Sequence, residues 1–267
     1  MWLLNIKHIY MELLSKVGSY DFLVEPFHCD FSNRIFIGHL GNHLLNAADF
    51  HSNERGYGMD YLNPINRTWV LSRFVMEMDE LPLAYDRIIV DTWVENVMKF
   101  FTSRNFAIRS AHGKVYGYGR SIWAMIDTQT RQPVDILGLR NGLITEYIET
   151  DKACPIRPFQ RVRLTDKAEC KRTVVMQYSD VDVNGHVNSV KYIEHMLNMW
   201  GLDWYKSNSL HRIDIAYVAE SHYGDTLHFV VEEESEGVFC ILVQKSTLPA
   251  ADDLKEVCRG KIEFKKR

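Results

Sequence analysis

The sequence is short of the residues on which several classes of protein depend. Its five cysteines (Cys29, Cys154, Cys170, Cys240, Cys258) are odd in number, scattered and never in a C-x-x-C pair. That spacing excludes a disulfide framework and a structural zinc knot, and predicts reduced thiols in a cytoplasmic protein. No charge dominates: 31 Lys plus Arg stand against 35 Asp plus Glu, a net charge of −4. A dedicated nucleic-acid binder is therefore not expected, and a polyanionic partner would have to meet a local basic patch. No G-x-S-x-G elbow occurs, which removes the serine hydrolases of that type. The opening MWLLNIKHIYMELLSK has apolar residues at helical spacing (Leu3, Ile6, Tyr10, Leu13, Val17). It lacks the basic start, continuous apolar run and small-residue cleavage site of a signal peptide, and is too short and polar to span a bilayer. It is expected to be a docked or frayed helix in an extension over residues 1–17, with no membrane insertion.

What is present is ordinary for a globular chain. Hydrophobic residues at 46% and charged residues at 25% of 267 exclude disordered, collagen-like and coiled-coil classes, and at about 150 residues per domain the length predicts roughly two domains. An internal repeat agrees. TWVLSRFVMEMDELPLAYDRIIVDTWVEN and HRIDIAYVAESHYGDTLHFVVEEE each join two apolar-rich strands through a turn, and the turn aspartates Asp86 and Asp225 are 225 − 86 = 139 residues apart. GKVYGYGRSIWAMI and LKEVCRGKIEF align Gly119 with Gly260, 260 − 119 = 141 residues on.

Each copy is expected to be one helix followed by several strands. In the second, Val190, Ile193, Leu197 and Trp200 form a three- and four-residue stripe that predicts a helix over 186–204. Period-two alternation follows in Ile213, Ile215, Tyr217; Leu227, Phe229, Val231; Phe239, Ile241, Val243; and Cys258, Gly260, Ile262, Phe264. The first copy has a candidate helix over 41–55 and strands at about 67–79, 87–96, 100–111 and 114–127. Pro133, Pro155 and Pro158 and the loss of periodicity over 128–164 mark a linker, with one short helix expected around 144–150. An α+β fold follows, with each copy a long antiparallel sheet wrapped around a central helix. The expected boundaries are 18–140, a linker over 141–164, and 165–267.

Polar chemistry is concentrated in Ser179-Asp180-Val181-Asp182-Val183-Asn184-Gly185-His186-Val187-Asn188. Asp180, Asp182, Asn184 and Gly185 fall at positions 1, 3, 5 and 6 of a calcium loop, but position 12 is Lys191 where a bidentate Glu is required. His39 and His43 have the i, i+4 spacing of zinc-binding helices without the Glu of H-E-x-x-H; two helix-start or surface histidines are the plainer reading. No metal and no cofactor are expected. A turn at Ser179 or Asp180 with Asn184 capping the helix would explain one or two of the polar residues. It would not explain Asp182, Asn184 and His186 at alternate positions, expected to share one side of an extended approach to the helix.

The segment DVDVNGHVNSVKYIEHML resembles the D-x-D-x-N-x-H-V-N-N-x-K-Y-like signature in the second copy of acyl-acyl carrier protein thioesterases of plants and bacteria. Those are tandem hotdog folds. A Glu-Cys pair at the end of the next strand is their second hallmark, matched here by Glu220-Ser221 in IAYVAESHYGD. TWVLSRFVMEM and GRSIWAMIDTQTRQPVDI extend the similarity into the first copy, so it covers the chain from about Phe22 onward.

The resemblance implies hydrolysis of fatty acyl-acyl carrier protein in fatty-acid biosynthesis, with acyl carrier protein as partner and the chain a monomer or homodimer. Ser221 stands where the plant members have Cys, so a cysteine nucleophile does not carry over. Asp182, Asn184, His186 and Glu220 remain, a set suited to water-based hydrolysis in which the carboxylate takes a proton from water or attacks the acyl carbon itself. The first copy would shape the acyl tunnel, with Trp69, Leu71, Phe74 and Met76 as candidate walls. Arg161, Arg163, Lys171 and Arg172 form the densest basic stretch and are the candidate docking surface for an acidic carrier. The rival readings are an acyl-CoA thioesterase of the hotdog class, a hotdog dehydratase or hydratase, and a non-catalytic acyl-binding protein.

Overall fold

A computed structural model describes residues 13–247 and 250–267. These residues build one ten-stranded antiparallel sheet with few helices. The first half contains β1 (Gly18–Leu23), α1 (Ile37–Glu54), α2 (Met59–Leu62), β2 (Arg67–Met78), β3 (Arg87–Val97), β4 (Phe101–Ser110) and β5 (Val115–Asp127). The second contains β6 (Glu169–Val175), α3 (Ser189–Leu197), α4 (Leu202–Ser207), β7 (Asn208–Tyr217), β8 (Thr226–Ser235), β9 (Val238–Thr247) and β10 (Ala250–Lys266). Across the sheet the order is β1-β3-β4-β5-β2-β7-β10-β9-β8-β6. With β6 to β10 matched to β1 to β5, that order is the same from either edge. The halves meet where Arg73 to Glu77 of β2 pair with Ala216 to Arg212 of β7.

The repeat has a packing cause. A Cβ at Gly119 would stand 2.9 Å from Leu44 of α1, and one at Gly260 would stand 2.9 Å from the Met196 sulfur of α3. Each glycine thus lets the helix of its own half lie directly on the strand. One core runs through both halves and includes Leu40, Leu44, Phe74, Met76, Ile193, Met196, Ile213 and Ile215. A buried ion network lies at the seam. Arg212, 1% exposed, donates to Glu77 of the first half at 2.6 Å and to Asp214 at 3.0 Å. Burial pushes the Asp214 carboxyl up from its usual range. Arg212 also donates to the Arg157 and Pro158 carbonyls, which straps the connecting segment across both halves.

Several expectations change. Leu3, Ile6 and Tyr10 of the expected first helix lie outside the described residues, while 13–17 form coil and a bend leading into β1. α1 begins at Ile37, earlier than position 41, because Gly38 and Gly41 lie against Val190 of α3, where small residues permit close approach. The helix expected over 186–204 is two: α3 stops at Leu197, and Gly201, in extended conformation, precedes α4. Trp200 and Trp204 fold edge-on against Phe239 and Phe264, a packing that outweighs helical continuity. The linker also starts later than residue 141. Leu139–Tyr147 is a kinked 3₁₀ segment whose Ile144 and Tyr147 join Tyr57, Leu62, Val94, Met125 and Ile136 in a second apolar cluster of the first half.

Candidate active site

Between β6 and α3 the chain makes two turns. In the first, Tyr178–Asp180 is a single 3₁₀ turn in which Gln177 N donates to Asp180 Oδ2 at 2.8 Å, while Asp180 Oδ1 meets His195 Nε2 of α3 at 3.1 Å. In the second, Asp182 N donates to the His186 carbonyl at 2.9 Å and Asn184 N to Asp182 Oδ1 at 2.8 Å. Gly185 takes a φ of +80°, open to glycine at little cost. Residues 182–186 are therefore a tight turn closed by a Val181–Val187 bridge, and the alternation expected of an extended approach does not hold. The Asx turn belongs to Asp182, and the helix cap to Asn188, whose Oδ1 accepts Val190 N at 2.9 Å. Val187 N donates to the Ser221 carbonyl at 2.8 Å, tying the turn to the chain after β7.

That tie sets His186 beside Glu220, with Nε2 and Oε2 3.3 Å apart. Arg131, from the loop after β5 in the first half, pairs with the other Glu220 oxygen. Asp127 Oδ1 shapes that loop by accepting Gln129 N and Thr130 N at 2.8 Å. Behind Glu220, Lys245 Nζ donates to its carbonyl at 2.7 Å and to Asp225 Oδ2 at 3.2 Å. His222 presents its ring edge-on to His186, centroids 5.1 Å apart. Donor atoms of His186, Glu220 and His222 lie within 4.8 Å of one another, a spacing that could hold a metal ion, although the Arg131 guanidinium already occupies one face of the carboxylate. Ser221 is fully buried, and among the described residues no histidine or carboxylate is hydrogen-bonded to its Oγ.

The sequence matches the acyl-ACP thioesterase N-terminal domain over residues 16–138 and the C-terminal domain over residues 164–266. The chain belongs to the acyl-ACP thioesterase family. It is similar to the crystal structure of an acyl-ACP thioesterase from Bacteroides thetaiotaomicron, at 46% identity, TM-score 0.85, and 94% coverage of this chain and 98% of that one. A 12:0-ACP thioesterase from Umbellularia californica shares the fold at 20% identity and TM-score 0.80, covering 96% of this chain and 100% of that one. A chloroplastic palmitoyl-acyl carrier protein thioesterase from Gossypium hirsutum is 27% identical over 215 residues, 76% of this chain and 52% of the relative. The chain spans between 33% and 52% of the length of the first curated relatives it matches.

Of the site residues expected from the sequence, the structure brings together His186 and Glu220. Asp182 spends its carboxylate on its own turn, and Asn184 is exposed with no side-chain hydrogen bond among the described residues. Arg131 and His222 were not singled out from sequence, since each joins the site only through folding; the short spacing of His222 from Glu220 was the available signal. Trp69 lines a cavity of about 90 Å³ with Leu45, Ala48, Trp123 and Ile144, next to buried Arg104 and half-buried Asp49. Leu71, Phe74 and Met76 are instead core residues, the latter two packed under Gly41 of α1. Arg161 and Arg163 are exposed. Lys171 lies over the Phe239 ring, and Arg172 donates to the Asn198 carbonyl at the end of α3, so it serves the fold.

The first half repeats the frame without the chemistry. Asp30 N donates to the Arg34 carbonyl as Asp182 N does to that of His186, Asn33 takes the left-handed place of Gly185, and Ile35 N donates to the Pro82 carbonyl as Val187 N does to that of Ser221. Arg34 thus occupies the place of His186 (186 − 34 = 152, as 182 − 30 = 152), and Leu81 that of Glu220 (220 − 81 = 139). One end of the molecule has a histidine–glutamate pair, and the other has an arginine and a leucine in the same places.

Proposed function

We propose that the protein hydrolyses the thioester of fatty acyl-acyl carrier protein, releasing free fatty acid, and that its two halves are tandem hotdog domains. The mirrored strand order, the paired glycines and the repeated loop frame support the tandem reading. The observation that carries the chemistry is the His186–Glu220 pair, held by Arg131 beside a serine that nothing activates. Glu220 takes the proton from a water that attacks the acyl carbon and passes it to the thiolate released as the C–S bond breaks, His186 orients carboxylate and water, and Arg131 holds the other carboxylate oxygen. Ser221 is not the nucleophile, because a serine hydroxyl needs an adjacent base. The acyl chain extends into the first half along Trp69 and Trp123, and Arg161 and Arg163 meet the acidic carrier.

Free-thiol release from saturated acyl-acyl carrier protein and from acyl-CoA of the same chain length tests this reading. Turnover is expected on the carrier-bound substrate. Charge reversal at Arg161 and Arg163 should raise KM for that substrate several-fold, fade with added salt, and leave acyl-CoA hydrolysis unchanged. Faster turnover of acyl-CoA, with no effect of charge reversal, would assign a CoA thioesterase; no thiol release from either substrate would sink the hydrolase reading.

A further inference from the structure

The opposite end of the molecule, around Arg34 and Leu81, has a chamber of its own. A cavity of about 930 Å³ opens there, lined on the loop side by Arg34 and Leu81 and on the second half by Leu197, Trp200, Gly201 and Leu210. Its volume lies in the range of about 300–1,000 Å³ usual for small-molecule sites. Leu197, Trp200 and Gly201 take the places that Leu45, Ala48 and Asp49 hold in the narrow cavity of the first half (197 − 45 = 152, 200 − 48 = 152, 201 − 49 = 152). The difference in size has a visible cause. α1 runs unbroken to Glu54, whereas α3 stops at Leu197 and the chain bends away through Gly201.

Charge at the mouth is also changed. Where the active site presents a carboxylate, this end presents the Arg34 guanidinium and Arg267, whose Nη2 donates to Ser32 Oγ at 3.2 Å. Arg34 Nη1 spends one bond on the Leu81 carbonyl at 2.8 Å and is 3.5 Å from Glu80. The carboxylates around the cavity are largely committed: Glu80 to Lys114 at 2.6 Å, Glu194 to Lys191 at 2.8 Å, and Asp30 to Ser32 and Arg34 of its own loop. Asp79 is the remaining acid on the wall. Phe31, Phe36 and Leu202 are exposed around the opening, an apolar rim that water does not favour.

We infer that this cavity is a second, non-catalytic site that binds a free fatty acid, its carboxylate on Arg34 and Arg267 and its chain along Leu210, Leu197 and Trp200. The choice of a fatty acid as occupant rests on the hydrolase reading above, since it is the product of that reaction; the cavity and its cations do not. A bidentate guanidinium is the group best shaped for a carboxylate, and Leu81 stands here in place of Glu220, with His39 and Asp79 elsewhere on the wall.

Calorimetric titration of the full chain with dodecanoate and with dodecanol decides the matter. Nothing lies within 4 Å of a Cβ built on Gly201, which is on the cavity wall, so Gly201→Trp adds bulk there; dodecanoate affinity should fall at least tenfold while thioester hydrolysis persists. Arg34→Leu should weaken dodecanoate about tenfold, one charge-assisted contact, and leave dodecanol unchanged. Unaltered dodecanoate affinity in both folded variants overturns the site, and equal losses of acid and alcohol in Arg34→Leu overturn the carboxylate anchor. Because the titration needs no turnover, a wild-type chain that binds dodecanoate in a Gly201-dependent way but hydrolyses no thioester would sink the hydrolase reading and leave the site standing.

Discussion

Replacing Glu220 by Gln and His186 by Ala, singly and together, tests the pair as a unit. Loss of a general base typically costs about 10²–10⁴ in rate, which is about 3–5 kcal/mol of transition-state stabilisation. The two groups sit 3.3 Å apart, and residues in one polar pair do not add. The double variant should therefore be little slower than Glu220→Gln alone, far from the product of the two losses. Stability should hardly move, because the side chains are 26% and 34% exposed and such pairs contribute about 1 kcal/mol or less. The assay is kcat/KM on acyl-acyl carrier protein, with the melting temperature of each variant as control. A folded Glu220→Gln enzyme that keeps more than about a tenth of the wild-type rate, or fully multiplicative losses in the double variant, would refute the assignment.

Two further outcomes are expected. Ser221→Ala should keep kcat within about twofold, since no histidine or carboxylate among the described residues is hydrogen-bonded to its hydroxyl; a collapse matching that of Glu220→Gln would make Ser221 the nucleophile. His51 donates through Nε2 to the Lys16 carbonyl and accepts the Tyr57 hydroxyl at Nδ1, and burial, aided by the charges of Arg104 and Arg55, pushes its pKa down from 6.5 to about 2. The unfolded chain therefore takes up a proton below pH 6.5 that the folded chain refuses, and stability is lost as pH falls, by about 2 kcal/mol between pH 7 and pH 5. Urea midpoints should show that slope in the wild type and a flatter one, by about that amount, in His51→Leu; equal slopes would place the His51 proton elsewhere.

How much was legible in the sequence follows from what each signal encodes. Strand alternation and the helical stripe are local, so β2 to β5 and β7 to β9 lie close to where their periodicity put them, and turn aspartates and strand glycines recur at offsets of 139 and 141 because each copy must solve the same packing problem. The polar motif and Glu220 were legible as residue types in order along the chain. What they do to one another was not. Alternate positions implied that Asp182, Asn184 and His186 share a face, but a left-handed Gly185 curls the segment, leaving the first to brace a turn and the second to face water. Pattern alone also made α3 too long, since it cannot weigh helical hydrogen bonds against aromatic packing on Phe239 and Phe264.

Arg131 is 89 residues from Glu220, and no local pattern connects them; only the approach of the loop after β5 to the turn after β7 does. The same holds for the two chambers. Both halves have an equivalent loop and helix, so the sequence determined that two such sites would form. The residue types at the two ends, His186 and Glu220 against Arg34 and Leu81, are fixed by sequence; tertiary structure decided that one end would have a narrow cavity and the other a wide one, because helix length and the course of the chain at Gly201, both set by packing across the sheet, determine how much space remains.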